Sequence, residues 1–264
     1  MDTPVPKLVL IATPIGNLED VSLRSLAQLN ELPALACEDT RHTARLLDRH
    51  GITKRKRLLA CHEHNEAKAA MQIVRLLQSG VSVGLCSDAG TPGLSDPGYR
   101  VVETVLAAGF EVTALPGPNA AVMALTISGL PTSSFVFKGF APKKAGQRQR
   151  FIEEEALGFH TLVFYESPHR IAGFLADALH VLGDRRAAVC LELTKLYERV
   201  RRGKLSDLVQ AFDAEETKGE AVIVIEGLDR KEEKLQARAE RKAAKRARYG
   251  LPPEPSVTDE VADD

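Results

Sequence analysis

The residues best equipped for chemistry lie in one stretch, Gly84-Leu85-Cys86-Ser87-Asp88-Ala89-Gly90-Thr91-Pro92-Gly93-Leu94-Ser95-Asp96-Pro97-Gly98. The apolar run leading into it reads as a strand, and Asp96 is placed to cap a helix starting near Pro97. In open α/β sheets, ligands bind outside the carboxyl ends of the strands, where such a loop sits. Its glycines let backbone N–H groups approach a ligand closely, its prolines restrict the loop, and Asp88 puts a carboxylate at the mouth. A plain spacer between strand and helix has no need of so many special residues.

Ionisable groups gather at other strand ends. Glu38-Asp39-Thr40-Arg41-His42 follows the apolar run Ala34 to Cys37, Glu166-Ser167-Pro168-His169-Arg170 follows Thr161 to Tyr165, and Thr194-Lys195 follows Ala187 to Leu193. For any one of Glu38, Asp39, Arg41, Glu166, His169, Arg170 and Lys195 a cap or surface ion pair is as good a reading as a chemical role, but their shared position raises the group. Several chemistries are poorly supported. No G-x-x-x-x-G-K-[ST] is present, Thr13 to Gly16 does not supply G-x-G-x-x-G, and there is no G-x-S-x-G elbow. Cys61-His62-Glu63-His64-Asn65 offers metal-ligand types, yet no second cluster supplies the rest of a coordination sphere, so no metal is expected.

The elements that must position these groups alternate regularly. Strands are predicted at Leu8 to Ala12, Ala34 to Cys37, Arg57 to His62, Val81 to Cys86 and Phe110 to Leu115. Helices fall between them, with Ser22, Asp39 or Thr40, and Asn119 as N-caps. This spacing argues for a mostly parallel sheet with helices on both faces. Gly129 to Ser134 is a Gly/Pro/Ser break, after which strands at Phe135 to Phe137, Thr161 to Tyr165, Ala187 to Leu193 and Val222 to Ile225 form a second α/β half. The expected organisation is an N-terminal α/β domain over 1–129, a C-terminal α/β domain over 130–228 with a crevice between them, and a basic tail with an acidic, disordered end over 229–264.

The 264-residue chain has a formal net charge of −1, so basic residues matter only where they cluster. They do so at Lys54 to Arg57, at Lys143, Lys144, Arg148 and Arg150, and over Arg230 to Tyr249, where nine Lys or Arg face three Glu. A charge run is usually a solvated face; three on a near-neutral chain favour a polyanionic partner. The four cysteines are scattered, which fits reduced thiols and a cytoplasmic, soluble protein, and no apolar run is long enough to span a bilayer.

Six ordered motifs, Thr13-Pro14-Ile15-Gly16-Asn17-Leu18, Glu38-Asp39-Thr40-Arg41, Ser87 to Pro92, Leu115-Pro116-Gly117-Pro118, Tyr165 to Arg170 and Glu192-Leu193-Thr194-Lys195, resemble the ribosomal RNA small subunit methyltransferase I family of the tetrapyrrole methylase superfamily. The resemblance runs from about Leu8 to Gly227. It implies a homodimeric α/β protein of two domains that binds S-adenosyl-L-methionine in the interdomain crevice and methylates the ribose 2′-hydroxyl of a cytidine in the decoding region of small-subunit ribosomal RNA, free or in the assembled subunit.

Carried onto this chain, the resemblance assigns Asp88, Ala89, Gly90 and Thr91 to the loop around the cofactor's methionine end, and Pro116, Gly117, Asn119 and Ala120 to a second cofactor loop. Gly219, Glu220 and Ala221 match a contact to the adenine, and Ile15 and Gly16 match a first loop facing the substrate crevice. Help for a weakly nucleophilic hydroxyl would come from Lys195, Glu38, Asp39, Glu166 or Arg170, with Lys195 and Glu38 the favoured pair. Arg41, Lys143, Lys144, Arg148 and Arg150 are expected to meet RNA. Many family members carry a further C-terminal module, in whose place this sequence has only the basic segment and the acidic end. Two other functions stay open on the sequence: a tetrapyrrole or other small-molecule methyltransferase, which would not use the basic segments, and a non-catalytic RNA-binding assembly protein, which would not need the glycine loops.

Overall fold

Strands that are apolar at consecutive positions need cover on both faces, and that requirement shapes the first half of the chain. A computed structural model describes residues 5–229; the predicted basic and acidic tail beyond them lies outside the described residues. Strands β1 (Lys7–Ile11), β2 (Ala34–Cys37), β3 (Arg57–Ala60), β4 (Val83–Cys86) and β5 (Glu111–Leu115) form one wholly parallel sheet in the order β3-β2-β4-β1-β5. Successive side chains feed opposite cores: Leu8, Ala34, Ala36 and Leu85 pack with α3 (Glu66–Gln78) and α4 (Tyr99–Ala107), whereas Val9, Ile11, Leu35 and Cys37 pack with α1 (Leu23–Glu31) and α2 (Thr40–Arg49). The three predicted N-caps hold: Ser22, Asp39 and Asn119 accept from the amides of Ser25, Arg41 and Val122.

The second sheet is mixed, in the order β6-β7-β10-β8-β9. It comprises β6 (Phe135–Phe140), β7 (Thr161–Glu166), β8 (Arg186–Leu191), β9 (Arg199–Lys204) and β10 (Ala221–Ile225), covered on one face by α6 (Ala145–Glu153), α7 (Ile171–Leu182) and α8 (Leu205–Asp213). Strand β10 runs antiparallel to both β7 and β8, so its first residue, Ala221, lies level with Glu166 and Leu191 at their ends. Helix α5 (Ala120–Ile127) covers the other face, packing Ala121, Ala124 and Leu125 against Val163, Cys190 and Val222. The packing therefore groups α5 with the second sheet, although in sequence it precedes the break at Gly129 to Ser134.

Two expectations need correction, and one basic run falls away from the ligand edge. Strand β9 and helix α8 have no counterpart in the predicted elements, because Arg199-Val200-Arg201-Arg202-Gly203-Lys204 is as charged as a loop; it is an edge strand, where charge is tolerated. Lys54 to Arg57 lies at the start of β3, at the opposite end of the sheet from the ligand edge, and Lys56 donates to the carbonyls of Asn30 and Leu32 beside the end of α1. Asp96 caps nothing: α4 begins only at Tyr99 after Gly98, and the Glu66 carboxylate, from α3, receives the Gly98 and Arg100 amides at 2.8 and 3.0 Å. Glu66→Ala should lower the unfolding free energy by about 1–2 kcal/mol, as loss of a helix cap does, with Glu66→Gln losing less; urea unfolding of the three proteins measures it.

Candidate active site

The parallel order brings the loops after β1, β4 and β5 together, since these strands are neighbours. Thr13 and Gly90 exchange both backbone hydrogen bonds at 2.9 and 3.0 Å, and the Thr13 hydroxyl donates to the Ser87 carbonyl, fastening the first loop to the second. Gly90 sits at φ +78°, which glycine adopts without strain. Thr91 donates to the Pro118 carbonyl at 3.1 Å, tying the second loop to the third, and Gly117 approaches β1 so closely that a Cβ there would lie 2.7 Å from that of Ala12. The Asp88 carboxylate accepts the Asp39 amide at 3.0 Å and so joins the β2 end to the β4 end.

A cavity of about 320 Å³ lies where these loops face the second sheet. Of the predicted cofactor residues, Ile15, Ala89, Gly90, Thr91, Asn119, Ala120, Glu220 and Ala221 line it. Gly16, Asp88, Pro116 and Gly117 do not; Gly117 and Asp88 brace the loops, and Gly16 packs against Thr194 and Lys195. Residues not assigned to the cofactor complete the wall: Leu94, Ser95 and Asp96 further along the same loop, Phe140, Tyr165, Ser167 and Pro168 at the β6 and β7 ends, and Cys190, Leu193 and Val222 on the α5-facing side of the second sheet. Period-two alternation already set Tyr165, Cys190 and Val222 on one face; no local signal said which face met the loops.

The candidates for catalysis separate. Lys195 is held between Glu192 and Glu220, its Nζ 2.8 Å from an oxygen of each. Burial would lower its pKa, but the two carboxylates outweigh that and raise it, so Lys195 is a cation at neutral pH and no base. Its loop is strained, with Glu192 at φ 51° and Thr194 at φ 66°. Glu38 does not line the cavity and is not among the carboxylates bound to Lys195; burial, then the nearby Asp88 carboxylate, raises its pKa. Hydrogen bonds from Arg41 hold the Asp39 carboxyl well below the usual range, and that pair is exposed. Glu166 lines the cavity but its side chain is fully buried, with Arg170 3.1 Å away and the Ser167 amide donating at 2.7 Å; burial raises its pKa. Arg170 also donates to the Ala141 and Pro142 carbonyls, which anchors the loop after β6 rather than reaching a ligand.

A family model described as Tetrapyrrole (Corrin/Porphyrin) Methylases matches residues 7–209. The chain belongs to the tetrapyrrole methylase family. Within that family it is 48% identical over 222 residues to the ribosomal RNA small subunit methyltransferase I of Mesorhizobium japonicum, covering 83% of this chain and 75% of that protein. The protein of the same name from Thermotoga maritima is 40% identical over 221 residues, 84% of this chain and 98% of the other. Two solved methylases share the fold at low identity: the methyltransferase CobJ, at TM-score 0.64 and 19% identity over 84% of this chain and 94% of that one, and a uroporphyrin-III C-methyltransferase from Thermus thermophilus complexed with S-adenosylhomocysteine, at 0.58 and 18% over 83% and 97%.

On this methylase the expected RNA-facing cations fall into two groups. Arg41, Lys143, Lys144 and Arg150 are exposed, and the last three flank the loop after β6, whose end lines the cavity. Arg148 is a correction: it is buried, its Nε 2.6 Å from Asp177, which Gln149 also engages. The helical period turns Arg148 inward where its neighbours face solvent. Arg148→Ala would strand the Asp177 charge, so unfolding free energy should fall by about 3–5 kcal/mol while the salt dependence of RNA binding stays as in the parent, by denaturant titration and filter binding.

Proposed function

We propose that this chain transfers a methyl group from S-adenosyl-L-methionine to the 2′-hydroxyl of a cytidine ribose in the decoding region of small-subunit ribosomal RNA, acting as a homodimer in the cytoplasm. The reading is carried by one observation: a partly apolar cavity built from both sheets, with exposed cations in the segment that follows its β6 wall, in a chain 40–48% identical to proteins named ribosomal RNA small subunit methyltransferase I.

The residues present fit the cofactor. Ala89 to Thr91 and Gly219 to Ala221 line the cavity from opposite sheets, and Gly219 at φ +91° lies so close to Glu192 that any side chain there would collide. Ile15, Leu193 and Val222 supply apolar surface, and the α5 N-terminus at Asn119 and Ala120 supplies amides. Glu166 and Glu220 put carboxylates on the wall formed by the second sheet, which suits a cationic ligand. When bound, the cofactor supplies an electrophilic methyl group on a sulfonium. The chain's own task is then to hold the acceptor oxygen in line, a positioning effect that can remove several kcal/mol from a barrier. Lys195, kept charged by its two carboxylates, is a positive centre across from the first loop through its packing on Gly16.

The deciding experiment supplies labelled S-adenosylmethionine and small ribosomal subunits from cells lacking the protein, and identifies the product nucleoside by mass spectrometry. Label on a cytidine ribose is expected; label on a base, or on small-molecule acceptors alone, would sink the reading. Replacing Lys143, Lys144 and Arg150 together by Ala should flatten the slope of log affinity for RNA against log salt by about 2–3 and leave calorimetric cofactor affinity unchanged.

A further inference from the structure

Three acids line the cavity, and two are already engaged. Glu220 is bound to Lys195, and Glu166 is fully buried against Arg170. Asp96 is different: among the described residues no Lys, Arg or His forms an ion pair with it. It is not a helix cap, although a cap is the role its sequence context suggests.

The backbone holds Asp96 at the cavity at some cost. Ser95, just before it, sits at φ 63°, a left-handed conformation that a serine adopts only when its surroundings impose it. Those surroundings come from the second sheet. The register of β6 against β7 shifts between Phe137 and Gly139, and at that bulge Gly139, at φ +64°, comes so near that a Cβ would be 2.9 Å from the Ser95 hydroxyl. A loop of the first sheet is thus pressed onto a bulge in the second, and Asp96 is the next residue. Ser95, Asp96, Phe140 and Tyr165 line one cavity.

We propose that Asp96 is the proton acceptor for the hydroxyl that becomes methylated. The assignment rests on the ribose 2′-hydroxyl reading above. The ribose O–H bond breaks toward Asp96, whose carboxylate becomes a carboxylic acid. The oxygen's electron pair forms the bond to the methyl carbon, and the pair of the broken carbon–sulfur bond leaves with sulfur.

The electrostatics suit this role. Burial, reinforced by Glu38 from the β2 end and Asp88 from the β4 end and opposed by a hydrogen bond with Ser87, pushes Asp96 from 3.8 up to about 6. Facing it from the second sheet are Tyr165, Glu166 and Glu220. Burial, with the Asp96 and Glu220 carboxylates, raises Tyr165, which therefore stays a neutral phenol. A carboxylate with its pKa just below neutrality is ionised at physiological pH and more basic than an ordinary aspartate.

The test compares the parent protein with Asp96→Asn, which keeps the shape and removes the base. With saturating cofactor and small ribosomal subunits, single-turnover methyl transfer should fall by about 10²-fold or more, and the parent's rate should rise with pH through about 6 while the variant's does not. Two readouts need no turnover. Calorimetric affinity for S-adenosylmethionine should stay within about threefold. The folded protein holds this proton more tightly than the unfolded chain does, so parent stability declines as pH rises from 3.8 through about 6; melting curves should show Asp96→Asn gaining on the parent across that window. A variant that transfers methyl at close to the parent rate, loses cofactor affinity, or melts lower at neutral pH would overturn the assignment. If the parent itself labels no ribose, the 2′-hydroxyl reading falls instead, and the two failures are told apart.

Discussion

The exchange of backbone hydrogen bonds between Thr13 and Gly90 is the constraint on which the cavity depends. It joins the loops that leave two adjacent parallel strands, and it needs a residue at φ +78° to close, which is why a glycine stands at 90. Thr91 then carries the linkage to Pro118, and Asp88 carries it to Asp39. Four strand ends become one continuous rim with little slack. A site that must hold two reactants in line profits from that rigidity more than from any single contact.

The second sheet completes the site by a different device. Its antiparallel β10 begins where β7 and β8 end, so Gly219 to Ala221 meet the ends of both neighbours. Helix α5 leaves the rim of the first sheet and seats Ala121, Ala124 and Leu125 on the second, so the two halves share a packed core as well as a crevice. At the boundary the chain accepts unfavourable backbone at Ser95, Glu192 and Thr194, the non-glycine residues with positive φ among those described. All three lie at or beside the cavity, as expected when local strain is held in place by the surrounding fold and used to position functional groups.

Charge in the site is sorted by partner rather than by residue type. Lys195, Glu192 and Glu220 form one interlocked set, and Glu166 and Arg170 another that also anchors the loop after β6. Residues that look equally chemical in the linear chain therefore divide into braces and free groups, and a lysine that might have been a base is a fixed cation. Arg148 shows the same sorting among the basic residues: one member of a cationic run turns into the core to meet Asp177, and the others remain at the surface.

The sequence by itself determined the alternation of strands and helices, the parallel first sheet, the N-caps at Ser22, Asp39 and Asn119, and several of the loop residues that line the cavity, because these follow from short-range periodicity, glycine and proline chemistry, and motifs confined to one loop. Only the tertiary structure decided what each charged side chain does. Asp96 lost its apparent capping role to Glu66, thirty positions upstream in the chain. Lys195 found Glu220 rather than Glu38, and β9 formed from a stretch too basic to read as a strand. Each of these outcomes depends on a partner brought close by strand order or by sheet-to-sheet contact. Nothing in a local window of sequence encodes which distant carboxylate will stand beside a given cation, or whether that carboxylate will be buried.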